Sequence, residues 1–169
     1  NVQCQAVKKR SSVVINGKKR WITFGNLADI YIVLTRFNDK PTAFLVEREA
    51  PGLEVIKVTN MLGFRAAELA NLEFSDCEVS LDSMLGKPGF GFSHVAGTAL
   101  DHGRFCIAWG CVGLSQGCLE ASMKHSLERY QFGKPISEHQ LIQQMLANML
   151  VGIKAGRGLC VEAAKLKRE

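Results

Sequence analysis

The hydrophobic pattern of this chain changes its period once, at Gly86-Lys87-Pro88-Gly89, and this change constrains the fold more than any other feature. Before it, apolar residues alternate with polar ones or form short runs, as they do in strands. After it, they recur at the three- and four-residue spacing of helices. Strands followed by helices are typical of the α+β class. We therefore predict two domains, residues 1–86 and residues 87–169.

The first domain is predicted to be a small antiparallel β-barrel or sandwich. Asn16-Gly17 supplies the positive φ of a tight hairpin turn, and turns are also expected at residues 38–41 and at Pro51-Gly52. The predicted strands cover residues 13–15, 18–23, 30–35, 43–46, 53–58, 69–74 and 77–81.

The second domain is predicted to be an antiparallel helical hairpin that belongs to a helical bundle. The first helix covers residues 93–128, and a break at residues 130–136 contains both Gly and Pro. The second helix is predicted to begin at Ser137, because Ser is a good N-cap and Gln140 stands at the capping-box position.

A glycine stripe runs along the first predicted helix. Gly103, Gly110 and Gly117 recur every seven residues, with Gly113 between them. Each glycine costs a helix about 1 kcal/mol relative to alanine, so the stripe predicts that another helix or a ligand approaches the backbone closely. Two helices alone cannot bury this surface, which predicts either further helices or an oligomer.

The composition excludes several classes of protein. With 47% apolar and 22% charged residues, the chain is expected to fold rather than stay disordered. The longest apolar run, residues 105–114, is half the length of a membrane span, so no transmembrane segment is expected. The first residues have no signal-peptide layout, and they look like a cut end.

Binding to metals and to nucleic acids is also not expected. The six cysteines form no Cys-x-x-Cys pair and the four histidines have no ligand spacing, so we predict reduced thiols, no zinc site and a cytoplasmic location. The net charge of +5 suits an anionic cofactor as well as an ordinary solvated surface. The two short basic runs lack interleaved aromatic residues, which argues against nucleic acid.

Three segments together resemble a known protein family. They are VINGKKRWIT at residues 14–23, MLGFR at 61–65 leading to LEF at 72–74, and ERYQFGK at 128–134 with EHQ at 138–140. In this order they resemble the acyl-CoA dehydrogenase family of flavoproteins. The resemblance covers essentially the whole chain. It implies the middle β-domain and the first part of the carboxyl-terminal helical domain, with FAD as cofactor and α,β-dehydrogenation of an acyl thioester as the reaction.

Two further segments narrow the resemblance. ALDHGR at residues 99–104 and AWGCVGL at 108–114 are similar to the branch that acts on acyl chains held by an acyl carrier protein, in biosynthesis of hydroxy-, methoxy- or aminomalonyl extender units for polyketides and hybrid peptides. Ordinary acyl-CoA substrates are the alternative. The implied partners are the thioester substrate, an acyl carrier protein and an electron-transfer flavoprotein, with oxygen as the other electron acceptor.

The resemblance places Trp21, Ile22 and Thr23 against the isoalloxazine ring of FAD. Trp21 offers a large flat surface, and Thr23 offers a hydroxyl near the N5 to O4 edge of the ring. The alternative for Trp21 is a core aromatic of the barrel.

A second set of residues is implied at the FAD of a neighbouring subunit, which would make the protein a homo-oligomer, either a dimer or a tetramer. The Arg129 guanidinium suits a pyrophosphate, and its alternative role is to satisfy carbonyls of its own helix. His139, the alternative for which is an exposed first-turn residue, would face the cofactor at a helix amino terminus. The full set is Arg129, Tyr130, Gln131, Phe132, His139 and Gln140.

A third set, Asp101, His102, Gly103 and Arg104, is implied at the border of the acyl substrate. Arg104 would neighbour the thioester and Asp101 the pantetheine arm, while an i, i+3 ion pair is the alternative. Some branches carry the catalytic Glu where Gly103 stands, so the catalytic base is expected outside this chain.

The second hypothesis for function is a non-catalytic homologue that acts as an oligomerisation or carrier-protein docking module.

Overall fold

A computed structural model describes residues 2–167, which form two compact units divided after Ala99. The first unit holds one seven-stranded sheet with the strand order β5-β6-β2-β1-β3-β4-β7. Its strands are β1 (Gln5–Lys9), β2 (Ser12–Ile22), β3 (Ile30–Phe37), β4 (Lys40–Glu47), β5 (Leu53–Lys57), β6 (Ala70–Ser80) and β7 (Met84–Leu85).

The sheet is mixed rather than purely antiparallel. The chain leaves the β1–β2 hairpin and returns to the free edge of β1, so β3 pairs parallel to β1 through Gln5 opposite Arg36. The other neighbouring strands of this sheet pair antiparallel. The α+β class is confirmed, and only the all-antiparallel detail of the prediction is wrong.

The expected hairpin turn at Asn16-Gly17 is wrong. β2 continues through both residues, and the chain instead turns between β1 and β2 at Arg10, which has a φ of 55°. Gly17 has a φ of 135°, and a Cβ built on it would lie 2.9 Å from the α-carbon of Cys4. Glycine is needed here for a close backbone approach within the sheet.

β6 joins two predicted strands, residues 69–74 and 77–81, into one. The strand bends at Asp76, which has a φ of 49°. The core of this unit lies on one face of the strands and includes a Phe37–Phe44 edge-to-face pair with ring centroids 5.7 Å apart. The fully buried members include Cys4, Val13, Ile15, Val33, Phe44, Val46 and Leu72.

Two long helices dominate the carboxyl-terminal half. A π-helical turn (Gly91–Ala96) precedes α1 (Gly97–Glu128), and the short strands β8 (Tyr130–Gln131) and β9 (Lys134–Pro135) connect it to α2 (Gln140–Leu166). The predicted N-cap Ser137 is wrong. It lies in a 3₁₀ turn (Ile136–Glu138), and His139 is the residue before the first turn of α2.

α1 and α2 pack along a narrow seam. Val112, Leu119 and Ser126 are its buried residues on α1, and Ile153 and Cys160 are those on α2. The seven-residue spacing on both helices is that of coiled-coil packing. The helices are antiparallel, since Lys167 just beyond α2 contacts Asp101 near the start of α1. The predicted helical hairpin is confirmed.

The glycine stripe lies on the far side of α1 from this seam. Gly110 precedes the seam residue Val112 by two positions, which is about 200° around a helix. Apart from the helix's own nearby backbone, no described atom lies within 4 Å of a Cβ built on Gly103, Gly110 or Gly117. A close neighbour at this stripe therefore stays a prediction.

None of the helices within residues 2–167 has the length and the apolar content of a membrane span.

Candidate functional site

The end of β2 carries the first set of predicted residues, and its backbone is bulged there. Arg20 and Trp21 of β2 stand opposite a single residue of β6, Asn71. Trp21 has a φ of 59°, and its backbone N–H donates to the Oδ1 of Asn71 at 3.2 Å. A bulge of two residues against one redirects the side chains of a strand, which here concerns Trp21.

The bulge turns the indole away from the core. The Trp21 side chain is 61% exposed, so the alternative of a core aromatic is wrong. Ile22 packs against the core cluster, and Thr23 is exposed in the turn that follows. The strand end thus presents an aromatic face and a hydroxyl, anchored between them by Ile22.

The turn after Thr23 is tied to the segment before β6. The N–H of Phe24, a second left-handed residue with a φ of 55°, donates to the carbonyl of Ala67 at 2.7 Å. The Glu68 carboxylate accepts from Asn26 Nδ2 at 2.9 Å and pairs with Lys57 Nζ at 2.8 Å. The hydrogen bonds from Lys57 and Asn26 lower the pKa of Glu68.

The second set lies on the β8–β9 hairpin. Phe132 and Gly133 form its turn with φ values of 52° and 78°, which is the primed geometry that tight hairpins favour. Phe132 is 93% exposed at the tip, and the Arg129 side chain is exposed at the base. The hairpin is closed by the Ile136 N–H, which donates to the Arg129 carbonyl at 2.8 Å.

His139 and Gln140 join this hairpin to the start of α2. The Nε2 of His139 lies 3.3 Å from the carbonyl oxygen of Gln131, and its ring stands edge-on to Phe132 with centroids 6.1 Å apart. His139 is half-buried, so the exposed alternative is wrong. Gln140 is the first residue of α2, and a groove of about 720 Å³ runs between it and the hairpin.

The third set lies in the early turns of α1, and all four of its residues are exposed. Within residues 2–167 Asp101 forms its ion pair with Lys167 rather than with Arg104. The Lys167 ammonium also lies 5.4 Å from the centre of the Phe105 ring. The hydrogen bond from Lys167 lowers the pKa of Asp101.

The second and third sets are held far apart within one chain. Arg104 and Arg129 are separated by 25 positions, and α1 continues to Glu128. At 1.5 Å per residue this is about 38 Å. The β8–β9 hairpin and the Asp101–Arg104 turn therefore lie at opposite ends of α1.

Two residues at these sites were missed by sequence reasoning, Asn71 and Lys167. Asn71 leaves only a weak signal, since Asn is depleted in strands, and it stands at a polar position of the apolar–polar alternation of β6. Lys167 leaves none, because its partner Asp101 is 66 residues away. Among the described residues no group of three or more His, Cys, Asp or Glu could hold a metal ion, and the six cysteines are free.

Both units match known protein domains. Residues 1–77 match the middle domain of acyl-CoA dehydrogenases, and residues 89–169 match their C-terminal domain. The cyclohexane-1-carbonyl-CoA dehydrogenase of Syntrophus aciditrophicus (strain SB) is 38% identical over 170 residues, which cover 98% of this chain and 44% of the relative.

Solved structures agree with this assignment. Butyryl-CoA dehydrogenase from Megasphaera elsdenii is 35% identical with a TM-score of 0.86, over 98% of this chain and 45% of that one. The prolyl acyl carrier protein oxidase AnaB is 27% identical with a TM-score of 0.89, again over 98% and 45%. This chain thus spans less than half the length of these relatives. With both domains matched in order at this identity, it belongs to the acyl-CoA dehydrogenase family, whose dehydrogenases use FAD.

Proposed function

We propose that this chain is the flavin-facing and substrate-facing part of an FAD-dependent dehydrogenase that oxidises the Cα–Cβ bond of an acyl thioester. The observation that carries the proposal is the uncovered indole of Trp21, held outside the core by a bulge at the family's flavin motif. An aromatic face of this size gains free energy when a flat apolar ring covers it.

The residues at the strand end fit a flavin. Trp21 supplies the planar surface, and Thr23 supplies a hydroxyl that can donate a hydrogen bond to the ring edge. Ile22, packed on the core, keeps the two in register. When bound, FAD supplies the two-electron acceptor for the oxidation, and the protein provides binding and orientation.

The β8–β9 hairpin fits the phosphate-bearing part of an FAD molecule. Arg129 is exposed and can form paired, charge-assisted hydrogen bonds to a pyrophosphate. Tyr130, Gln131 and Phe132 follow it on the hairpin, and Gln140 adds the amino terminus of α2, which favours negative charge.

We assign this hairpin to the flavin of a second protomer, so that the protein is a homo-oligomer. The distance of about 38 Å between Arg104 and Arg129 supports the assignment, because a flavin that meets a thioester at Arg104 would have to extend along nearly all of α1 to reach Arg129 of the same copy. In such an oligomer, the start of α1 from one copy and the β8–β9 hairpin that follows α1 in another copy would contribute to the same site.

At the other end of α1, Asp101, His102 and Arg104 would border the thioester. Asp101 is kept ionised by Lys167 and can accept hydrogen bonds from a pantetheine amide. The Arg104 guanidinium can stabilise negative charge that develops on the thioester carbonyl. Gly103 has no side chain to accept the α-proton, so we assign the base to a residue outside this chain.

Two carriers of the acyl group are compatible with this chemistry. The relatives at 35–38% identity are named for CoA thioesters, which favours acyl-CoA. The ALDHGR segment and the 27% identity to AnaB favour a carrier-protein thioester as the second candidate. Both carriers present the same phosphopantetheine arm, so the difference lies in the surface that docks the carrier.

The first test is cofactor retention. This chain and the complete product of its gene are incubated with FAD, desalted and examined by absorbance. We expect the complete product to keep the oxidised-flavin bands and Arg129→Gln to weaken FAD binding at least about tenfold, since it removes a charge-assisted contact. Arg157→Gln, an exposed arginine on α2, is the matched control and should bind FAD as wild type does.

The second test separates the carriers. The yellow complete product is mixed anaerobically with acyl-CoA or with acyl-carrier protein of the same acyl chain, and bleaching of the flavin is followed. Faster bleaching by the carrier-protein substrate would support the second candidate. A complete product that binds no FAD would refute the dehydrogenase and support the non-catalytic docking module.

A further inference from the structure

The pairing of β2 with β6 is interrupted twice, and each interruption is resolved by an asparagine. At the first, the N–H of Trp21 donates to the Oδ1 of Asn71 at 3.2 Å. At the second, the N–H of Asp76 donates to the Oδ1 of Asn16 at 2.8 Å. Trp21 and Asp76 are both left-handed, with φ values of 59° and 49°. An asparagine that accepts the N–H of a left-handed residue on the facing strand thus occurs twice on one strand pair.

The asparagine side chain satisfies a backbone group that the irregular pairing leaves unbonded. A bulge leaves the extra residue without a partner in the strand ladder, so its N–H needs another acceptor. A left-handed residue with a Cβ is disfavoured, and a bulky one more so. Trp21 therefore keeps its conformation only where the surroundings hold it. The asparagine amide opposite the bulge is the contact that does so.

We propose that Asn71 is a positioning residue for the cofactor: its side-chain carbonyl holds Trp21 in the bulge that presents the indole to the flavin. The proposal rests on the proposed function, in which Trp21 faces FAD. Asn71 is half-buried on β6 between β2 and β5. It acts through Trp21, and no contact of its own with FAD is needed.

A second anchor lies just beyond Thr23. Phe24 is also left-handed, and its N–H is bound by the Ala67 carbonyl in the segment that leads into β6. Thr23 therefore lies between two residues that the same stretch of chain, 67–71, holds in place. Loss of the Asn71 contact releases one of these two anchors and leaves the other intact.

Asn16 provides a matched control within the same strand pair. It accepts the N–H of a left-handed residue as Asn71 does, and its Nδ2 donates back to Asp76 Oδ1 at 3.0 Å. The residue it holds, Asp76, is not among the expected cofactor contacts. Removal of the Asn16 side chain should destabilise the sheet at least as much as removal of Asn71, because Asn16 makes two of these hydrogen bonds and Asn71 one, whereas only Asn71 should matter to the flavin.

The test compares Asn71→Ala, Asn16→Ala and Asn71→Asp in the complete gene product. Asp retains an oxygen acceptor at the same position, so it should restore what Ala removes. Asn71→Val, which favours a strand and has no acceptor, is the substitute if Asn71→Ala does not fold. Three properties are measured: the unfolding midpoint, amide exchange at residues 20–24 without FAD, and the Kd for FAD.

We expect Asn71→Ala to speed amide exchange of Trp21 and to raise the Kd for FAD about fivefold, the factor that corresponds to loss of one neutral hydrogen bond. The Kd of Asn71→Asp should stay within about twofold of wild type, because the aspartate keeps an acceptor for this hydrogen bond. Asn16→Ala should lower the unfolding midpoint at least as far as Asn71→Ala does and leave the Kd unchanged.

Equal Kd values for the two alanine variants would overturn the positioning role, as would unchanged exchange at Trp21. Failure of the proposed function is seen separately, in wild type. If the wild-type product binds no FAD, both assignments are refuted, whatever the amide exchange shows.

Discussion

Gly17→Ala is the sharpest test of the sheet that carries Trp21, because Gly17 allows β2 to lie unusually close to Cys4. A Cβ at this position would lie 2.8 Å from the Sγ of Cys4 and 2.9 Å from its α-carbon. Non-bonded atoms do not approach a Cβ so closely in folded proteins, so the strand or the Cys4 backbone must move. The φ of 135° adds strain of its own, since side-chain-bearing residues rarely adopt it.

The magnitude follows from these two terms. A residue forced into a sparsely populated backbone region costs about 1–3 kcal/mol, and overpacking of a well-filled site costs about 1–3 kcal/mol more. We expect a loss of roughly 2–6 kcal/mol in the free energy of unfolding. At about 4–8 °C per kcal/mol for a unit of about 100 residues, a loss of about 3 kcal/mol lowers the melting temperature of the sheet unit by roughly 12–24 °C.

The assay is urea denaturation followed by circular dichroism, with Gly63→Ala as the control. No described atom lies within 4 Å of a Cβ on Gly63, and its φ is not positive, so that variant should match wild type or gain about 0.4–1 kcal/mol. Cys4→Ala should recover part of the loss in the double variant, because it removes the clash with the sulfur and leaves the clash with the Cys4 backbone. A Gly17→Ala variant as stable as Gly63→Ala would refute the close approach.

Three other perturbations test separate contacts. Lys167 lowers the pKa of Asp101 below its usual 3.8, so the ion pair stabilises the fold above that pH, and this stabilisation is lost as the pH falls through the lower pKa of the folded state. Asp101→Asn should flatten this acid-side decrease in a pH series of unfolding midpoints. An unchanged decrease would contradict the pairing. Burial raises the pKa of the Cys4 and Cys77 thiols, so both should resist alkylation at pH 8 until denaturant is added, and rapid labelling in mass spectrometry would contradict their burial. Phe44→Ala should cost about 3–5 kcal/mol in thermal unfolding, since the ring is fully buried against Phe37; a loss below about 1 kcal/mol would exclude a packed core there.

The sequence was sufficient for features that depend on local periodicity. The change of period at residues 86–89 predicted strands before helices, and the spacing of apolar residues predicted both long helices. These patterns are robust because burial of one face imposes its period directly on the chain. The sequence also predicts a strand at Trp21 and a helix at Asp101, where the structure has them. At residues 130–136 it predicts only a break between helices, and the β8–β9 hairpin there was not predicted.

Features that depend on distant contacts could not be obtained in this way. Asn16-Gly17 has the residues of a tight turn, but a close approach between strands also selects a glycine, and the contact of Gly17 with Cys4 decides between the two. Ser137 is a good N-cap by residue type. However, Ile136 is bonded to Arg129 and His139 to Ile136, so α2 begins only after His139. Asn71 and Lys167 act on residues about 50 and 66 positions away.

The two units differ in how far they stabilise their own part of the site. The sheet has a closed core, and hydrogen bonds within it fix the Trp21 bulge. The helical pair buries only its seam, while Leu114 and Leu159 remain 71% and 73% exposed. Full burial of one such side chain contributes about 1.5–3 kcal/mol to the free energy of folding. The two helices therefore leave much of their apolar surface exposed and gain no such stabilisation from it. The geometry around Trp21 is thus set by the sheet itself, whereas the Arg129 hairpin is held by its own hydrogen bonds and joins two helices whose outer faces are largely exposed.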